Sequence, residues 1–366
     1  MDVVGEVVTA VRTDRPIARR TDLYGQWGLR FTNQGAGFHV VLEGSAWIVP
    51  PTVSAPVKLG VGDVVFARTA DGYTLADHPD TPLQDVCSTA PKEHWPVAAP
   101  IPGQRPSAVL LCGTYALDRA RPHPMIAQLP AVIHLPARAT IGEPLRSVVG
   151  LLHAEVQRDG PGLGAAVPAL LDLLIIYTVR TWYDREAERG AQGWARGLRD
   201  HAVRTALESM QQLPARPWTV AQLAAAGDMS RTAFARQFRT LIGEPPMTYL
   251  NRWRMTVAAR LLRETDLAID SVAARVGYGS PFAFGKAFKR SMGDSPGAYR
   301  RAHRAAPQYL PPAAAGQPTQ PCDVGEYTDH ATKVSGGTPT AADGAVTMTT
   351  CAPPPDSAGM EDRQQG

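Results

Sequence analysis

Cysteine is scarce in this sequence, and its cysteines are scattered. The 366 residues contain four, at Cys87, Cys112, Cys322 and Cys351, and none stands near another cysteine or a histidine at zinc-ligand spacing. The sequence therefore predicts ordinary thiols in a reducing compartment and no zinc module.

Long apolar runs are missing as well. The most apolar stretch, residues 170–179, is much shorter than the ~20 residues of a membrane-spanning helix, and Asp172 interrupts it. The first residues carry no charged segment followed by a sustained apolar core, so no signal peptide is predicted. These absences favour a cytoplasmic protein without membrane contact.

Motifs of catalysis are absent too. The sequence shows no nucleophile elbow, no glycine-rich phosphate loop and no paired-carboxylate pattern. We therefore expect a protein that is not an enzyme and that carries no cofactor.

Acidic residues are outnumbered in one segment only. Residues 199–304 contain 17 Lys and Arg against 8 Asp and Glu, whereas residues 1–198 contain 18 against 19 and residues 305–366 contain 2 against 7. Because Lys and Arg displace the counterions condensed on phosphates, the basic segment predicts a polyanionic partner. A basic surface that is merely solvated is the alternative that charge alone leaves open.

Hydrophobic periodicity divides the chain into a strand-rich and a helical half. Short apolar runs punctuated by Gly and Pro over residues 29–135 predict a small β-sandwich or barrel. Apolar residues at three- to four-residue steps over residues 145–178 predict a helical hairpin. Its second helix is apolar on more than one face, which predicts a contact within a homodimer. The fold class is therefore α+β.

Composition sets the expected domain boundaries. We expect a dimerisation domain over residues 1–185, a polar linker over 186–197, a helical domain over 198–304 and a tail over 305–366. The tail is rich in Pro, Gly, Ala and Thr and has few large apolar residues to offset chain entropy, so it is predicted to be disordered.

The helical domain begins with a pattern typical of a helix-turn-helix unit. Thr219 and Ser230 are predicted N-caps of two short helices across a tight turn. The second helix places Phe234 and Phe238 on one face and several cations on the other. An aromatic inner face and a basic outer face suit a helix that reads the major groove.

The pattern recurs about fifty residues later. Gly277 allows a positive φ at the turn, and Ser280 is the predicted cap of a helix that opens with proline. Residues 247–264, between the two units, predict an uninterrupted helix about 27 Å long. That length can hold two recognition helices near the ~34 Å between successive major-groove openings on one face of DNA.

The region 198–304 resembles the AraC-type transcription regulators. The resemblance rests on WTVAQLAAAGDMSRTAFARQFRTLIGEPPMTYLNRWRMTVAARLL and on SVAARVGYGSPFAFGKAFKRSMGDSPGAYRR. It implies contacts with two successive major grooves of double-stranded DNA from Arg231, Thr232, Ala235, Arg236, Ser280, Pro281, Phe282, Gly285 and Lys286. Arg236 is the strongest candidate for a base contact, since Arg can grip a guanine edge through two hydrogen bonds. For a second set the sequence leaves base contacts, phosphate contacts and plain surface open as alternatives: Arg239, Lys289, Arg290, Arg252 and Arg254.

The strand-rich half resembles the cupin-type sensory domain of many of these regulators, through FHVVLEGSAWIV and LGVGDVVFARTADGYTLAD. The resemblance implies a barrel whose mouth binds a small-molecule effector, for which His39, Trp47 and Tyr73 are the candidate residues. A metal-dependent cupin enzyme is the alternative, with His39 and Glu43 as two ligands. Tyr73 stands where a further histidine ligand is expected, so the ligand set is incomplete and no metal is predicted. The histidines near prolines, His78, His94 and His123, are expected to be solvated.

The sequence as a whole predicts an effector-responsive regulator of transcription. Its expected partners are double-stranded DNA, RNA polymerase, an unidentified small molecule and a second copy of the chain. A regulator without a small ligand, whose barrel serves assembly or binds a protein partner, is the remaining alternative.

Overall fold

The described strands all lie within residues 17–135, and the described chain beyond them is mainly helical. The computed structural model describes residues 3–13, 15–31, 36–50, 55–68, 72–86, 103–117, 122–139, 144–157 and 162–304. The predicted tail, together with Cys87 and His94, lies outside the described residues. Within them, the order of strands and helices confirms the predicted mixed fold.

The strands form two five-stranded sheets. The first is antiparallel throughout and contains, in spatial order, β1 (Ile17–Leu23), β9 (Ala108–Tyr115), β3 (Ala36–Gly44), β6 (Val64–Arg68) and β10 (Val132–Leu135). The second has one parallel pair, its last two strands, and contains β5 (Val57–Leu59), β4 (Ala46–Val49), β7 (Tyr73–Ala76), β2 (Gly28–Phe31) and β8 (Gln84–Val86).

The first sheet is buried on both faces, which explains the continuous apolar runs of its central strands. Successive side chains of a strand point to opposite faces. On β3, Phe38 and Val40 therefore pack toward the helices, whereas Val41 packs into a cluster with residues of the second sheet, such as Ile48 and Leu75. The core of the amino-terminal half thus has one layer between the sheets and one beneath the helices.

Two helices, α3 (Pro144–Val156) and α4 (Leu163–Glu188), pack beside the first sheet, and α1 (Val3–Val11) packs against α4. The packed pair α3 and α4 confirms the predicted hairpin. Asp172 of α4 accepts a hydrogen bond from the hydroxyl of Tyr115 at 2.8 Å and pairs with Arg12, just beyond α1.

α4 is long and apolar enough, by length and composition alone, to cross a membrane. Here one of its faces is filled by the protein itself, since Leu171, Leu174 and Val179 are fully buried in the core. Its Asp172 is held by two partners on that side. These contacts account for one face of α4.

The carboxyl-terminal half is entirely helical over its described residues, and its helices are α5 (Trp194–Arg199), α6 (His201–Gln212), α7 (Val220–Ala225), α8 (Arg231–Ile242), α9 (Pro246–Glu264), α10 (Ile269–Arg275), α11 (Pro281–Met292) and α12 (Pro296–Arg304). The segment predicted as a linker, residues 186–197, contains the end of α4 and the start of α5. Trp194 within it is fully buried, so this connection is anchored to the core.

Candidate DNA-binding surface

The first helix-turn-helix unit consists of α7 and α8. The hydroxyl of Thr219 accepts a hydrogen bond from the backbone N–H of Gln222 at 3.2 Å, and the Gln222 side chain accepts one from the N–H of Thr219 at 3.0 Å. This capping box satisfies two backbone donors that the start of α7 would otherwise leave unpaired. Ser230 caps α8 by accepting from the N–H of Ala233 at 3.3 Å. Both predicted caps are confirmed.

The second unit, α10 and α11, repeats this design. Gly277 has φ +82° at the turn, as predicted. Ser280 caps α11 by accepting from the N–H of Ala283 at 3.5 Å, and Pro281 is the first residue of the helix. Proline suits this position because the missing N–H would have no partner there.

Buried aromatics fix the rotation of both second helices. Phe234 and Phe238 of α8 are completely buried, and so are Phe284 and Phe288 of α11. Each pair lies four residues apart and therefore defines one inner face. The opposite face of each helix must then point to solvent.

The outer faces carry the residues predicted to contact DNA. Two of these residues are partly buried, Ala235 and Gly285. The others are exposed: Arg231, Thr232, Arg236, Arg239, Ser280, Pro281, Phe282, Lys286 and Lys289. Their positions on α8 and α11 form a surface that we call the cationic face, and their contacts with DNA stay a prediction.

α9 separates the two units. It spans 19 residues, or about 28 Å, and begins one residue before the predicted start. Tyr249, Leu250, Trp253, Ala258 and Leu262 are buried along it. Because side chains from both units pack against this helix, α9 acts as a rigid spacer between α8 and α11.

Two arginines of α9 are occupied within the fold. The Nε of Arg254 donates to the carbonyl of Pro214 at 2.7 Å, and a terminal nitrogen donates to the carbonyl of Arg216 at 3.0 Å. Arg252 pairs with Glu244. Arg254 therefore fixes the loop before α7, and Arg252 is held beside Glu244, while any contact of these two arginines with DNA stays a prediction.

His39 and Tyr73, two candidate effector residues, contact each other between the sheets. The Nε2 of His39 lies 2.6 Å from the hydroxyl of Tyr73, and its Nδ1 lies 3.2 Å from the Sγ of Cys112. All three residues are buried. Burial lowers the pKa of His39 to about 3, so its imidazole is neutral at physiological pH. His39 is thus a neutral, hydrogen-bonded side chain of the core, and Cys112 is a buried thiol beside it.

Trp47, the third candidate, lies on the opposite face of the second sheet. The register of β4 and β7 pairs Trp47 with Ala76 and the adjacent Ile48 with Leu75. Side chains alternate between faces, so the indole points away from the space that holds Tyr73. The structure therefore brings two of the three candidates together and separates the third from them.

Metal-ligating side chains do not gather within the described residues, where no three His, Cys, Asp or Glu lie close enough to hold an ion. His39 is buried, whereas Glu43 is exposed near the end of the same strand. These two proposed ligands of a metal-dependent enzyme therefore face different environments.

The expectation that His123 is solvated is wrong. The residue is buried, and its Nδ1 accepts a hydrogen bond from the N–H of Met125, at the start of α2 (Pro124–Ala127). Its ring centroid lies 5.5 Å from that of Trp194, 5.8 Å from that of Tyr249 and 6.2 Å from that of Trp253. His123 belongs to the amino-terminal half, yet it fills an aromatic pocket of α5 and α9. Sequence reasoning missed it because the pocket residues are distant along the chain.

A second contact joins the two halves at the other end of α9. Arg263 donates to the carbonyls of Ala10 at 3.3 Å and of Arg12 at 2.9 Å, where α1 ends. Carbonyls at the end of a helix lack partners within it and attract a cation. A groove of about 420 Å³ lies nearby, lined by residues of α1, α4 and α9 that include Glu6, Arg180 and Arg260.

Comparison with known proteins gives matches over both halves. A cupin family model matches residues 2–184, and a helix-turn-helix domain model matches residues 223–302. An AraC-like transcription regulator of Streptomyces lividans is 30% identical over 303 residues, which are 82% of this chain and 98% of that protein. Another, of Streptomyces antibioticus, is 28% identical over 302 residues, 82% of this chain and 99% of that protein. A solved structure of the DNA-binding domain of AdpA, a global transcriptional factor, in complex with a target DNA is 40% identical over 29% of this chain and 95% of that chain, with a TM-score of 0.28.

Proposed function

Since the chain belongs to the family of AraC-like transcription regulators, we propose that α8 and α11 enter successive major grooves of duplex DNA and that the amino-terminal domain controls this binding. The observation that carries the proposal is the repeated geometry. Two capped helices, each with two buried phenylalanines and an exposed row of cations, lie on either side of one rigid helix. Solvation of a basic surface does not require the same pattern of caps, buried phenylalanines and exposed cations to occur twice.

The cationic face divides into base readers and phosphate contacts. Arg231 and Thr232 lie in the first turn of α8, and Arg236 follows one turn later. Arg236 reads a base edge, while Arg239 and Lys289, farther along their helices, hold phosphates. Ala235 and Gly285 offer no polar group, so their contribution is a close approach to the groove floor.

Arg236→Ala should weaken binding to the preferred duplex by about 1–3 kcal/mol and relax the preference at one base pair, because a two-pronged contact is lost. The matched control Arg239→Ala should weaken binding by a similar factor on every sequence and flatten the salt dependence. Fluorescence anisotropy on a panel of singly mutated duplexes measures both profiles. Identical profiles for the two variants would contradict this division of roles, and a full-length protein that ignored all duplexes in dilute salt would overturn the proposed function.

The amino-terminal domain acts as the sensor. Its two sheets close into a cupin barrel, and a small polar effector replaces the hydrogen bond between His39 and Tyr73. Such a ligand shifts the balance between two conformations only if it binds one of them better.

Thermal-shift screening of the full chain and of His39→Phe against a metabolite library tests this role. Hits common to both proteins, or none, would favour binding elsewhere or a domain that serves assembly alone.

A homodimer forms through α4. Only about a third of its apolar stretch is buried within the chain, and Leu173 on it is 40% exposed. The dimer places two copies of the cationic face on repeated DNA sites, in the cytoplasm, where the bound regulator contacts RNA polymerase. No enzymatic step is part of this function.

Leu173→Glu should weaken self-association by about tenfold or more, because a carboxylate would be buried in an apolar interface. Leu213→Glu is the matched control, since Leu213 is 52% exposed beyond the end of α6 and distant in sequence from the hairpin. Sedimentation equilibrium measures both constants. A dimer unaffected by Leu173→Glu would place the interface elsewhere.

A further inference from the structure

Phe282 is the most exposed large hydrophobic side chain among the described residues. It is 72% exposed, although the other two phenylalanines of α11 are completely buried. Burying a phenylalanine stabilises a protein, and in the free protein Phe282 contributes little of this stabilisation. The side chain is therefore available to an apolar partner that the free protein lacks.

The start of α11 holds Phe282 outward. Ser280 caps the helix and Pro281 is its first residue, so Phe282 lies in the first turn. Residues of a helix are ~100° apart around its axis, which places Phe282 about 200° from buried Phe284. The ring cannot turn into the core without moving the Phe284 and Phe288 pair that anchors the helix.

Lys286 covers one face of the Phe282 ring. Its ammonium lies 4.4 Å from the ring centroid, one turn farther along α11. This cation–π contact restrains an otherwise mobile ring and leaves its edge and second face open. The first turn of α11 thus presents an exposed aromatic ring beside a positive charge.

The major groove offers one apolar group at base level, the 5-methyl group of thymine. The amino-terminal residues of a recognition helix are those that meet base edges, and Phe282 is one of them in α11. An aromatic side chain without a polar atom can gain affinity there only from that methyl. Wedging between base pairs is the other use of such residues, but it occurs from the minor groove.

We propose that Phe282 makes the DNA site specific for thymine at one position by packing against its 5-methyl group, while Lys286 holds the adjacent phosphate. The inference rests on the proposed function, since it requires α11 to enter the major groove. It adds the chemistry of the recognised base, a 5-methyl pyrimidine.

Deoxyuridine substitution tests the proposal, because deoxyuridine differs from thymidine only by the missing methyl. The full-length protein first selects its preferred duplex from a random library. Each thymine of that duplex is then replaced singly by deoxyuridine, and affinities are measured for wild type, Phe282→Ala and Lys289→Ala. We expect one position at which the wild type and Lys289→Ala lose about three- to tenfold in affinity and Phe282→Ala loses nothing. Restoring the methyl with 5-methylcytosine, paired with guanine at that position, should recover part of the loss.

Two results would overturn the inference while leaving the proposed function intact. One is a selected duplex without any position sensitive to deoxyuridine. The other is a sensitive position that remains so in Phe282→Ala, because another residue would then read the methyl. A protein that selects no duplex at all would instead overturn the proposed function and this inference with it.

Phe282 is exposed, so its replacement should not impair folding, and the melting temperature of Phe282→Ala verifies this.

Discussion

Replacing Gly277 with alanine should lower the free energy of unfolding by about 3 kcal/mol. Gly277 has φ +82°, a conformation that costs a residue with a Cβ atom about 1–2 kcal/mol. The added Cβ would also lie 2.7 Å from the carbonyl oxygen of Ala215 and 3.0 Å from the guanidinium of Arg254. That guanidinium holds the loop before α7, so the strain should spread from the second unit toward the first.

Two other glycines separate the causes of this loss. A Cβ at Gly279 would meet nothing within 4 Å, and its φ is not positive, so Gly279→Ala should change stability by less than about 0.5 kcal/mol. A Cβ at Gly243 would also meet nothing, but its φ is +91°, so Gly243→Ala should show the conformational cost alone. Urea unfolding of the three variants measures the series. If Gly277→Ala were as stable as Gly279→Ala, the turn would not be under the constraint described here.

The repeated units could be predicted from sequence because their signals are local. Caps such as Thr219, Ser230 and Ser280 act on N–H groups three residues away, and a residue such as Gly277 acts on its own turn. The helical period of buried phenylalanines likewise depends on spacing within one helix. These features do not need knowledge of the tertiary fold, and the structure contains each of them.

The turn between α7 and α8 could not be predicted from local sequence alone. Gly227 and Asp228 stand together there, and glycine is the usual residue for a positive φ. The structure gives the positive φ, +52°, to Asp228 instead. Gly227 serves packing, since a Cβ on it would lie 2.3 Å from the Cβ of Ala202 on α6. Only the approach of another helix distinguishes the two roles.

Contacts between the halves could not be predicted for the same reason. Five of the nine residues of α1 are valines, which favour strands, yet α1 is helical with Val3, Val4, Val7 and Val8 buried. It packs against α4, α6 and α9. Burial between two domains outweighs a propensity difference of less than about 1 kcal/mol per residue. His123 and its aromatic pocket form the other contact between the halves, at the opposite end of α9.

Acid should destabilise the protein through two buried histidines, His39 and His123. Burial lowers the pKa of both, to about 3 for His39 and well below 6.5 for His123, to which the charge of Arg252 contributes. In the unfolded chain both titrate near pH 6.5. Stability is therefore complete above about pH 6.5 and falls as the pH decreases, because only the unfolded state takes up these protons readily. Each histidine can remove up to about 1.4 kcal/mol per pH unit as long as only the unfolded state takes up the proton.

The buried carboxylate of Asp63 does not dominate in this pH range. Burial raises its pKa, but hydrogen bonds from Ala137, His134 and Gly60 bring it below the usual 3.8. A lowered carboxyl pKa gives stability that is lost only as the pH falls toward the folded-state value. Between about pH 4.5 and 6.5 the histidines therefore account for most of the expected slope.

His123→Asn isolates the contribution of the contact between the halves. Asparagine is a good N-cap and can accept the hydrogen bond from the N–H of Met125, but it cannot take up a proton. We expect this variant to lose about half of the pH dependence between about pH 4.5 and 6.5, together with some stability at neutral pH because the aromatic pocket is less well filled. His201→Asn, at an exposed position, should retain the full dependence. Urea unfolding at a series of pH values gives the slopes. A wild-type slope in His123→Asn would mean that the imidazole is protonated inside its pocket, and the two halves would then not be joined through an uncharged His123.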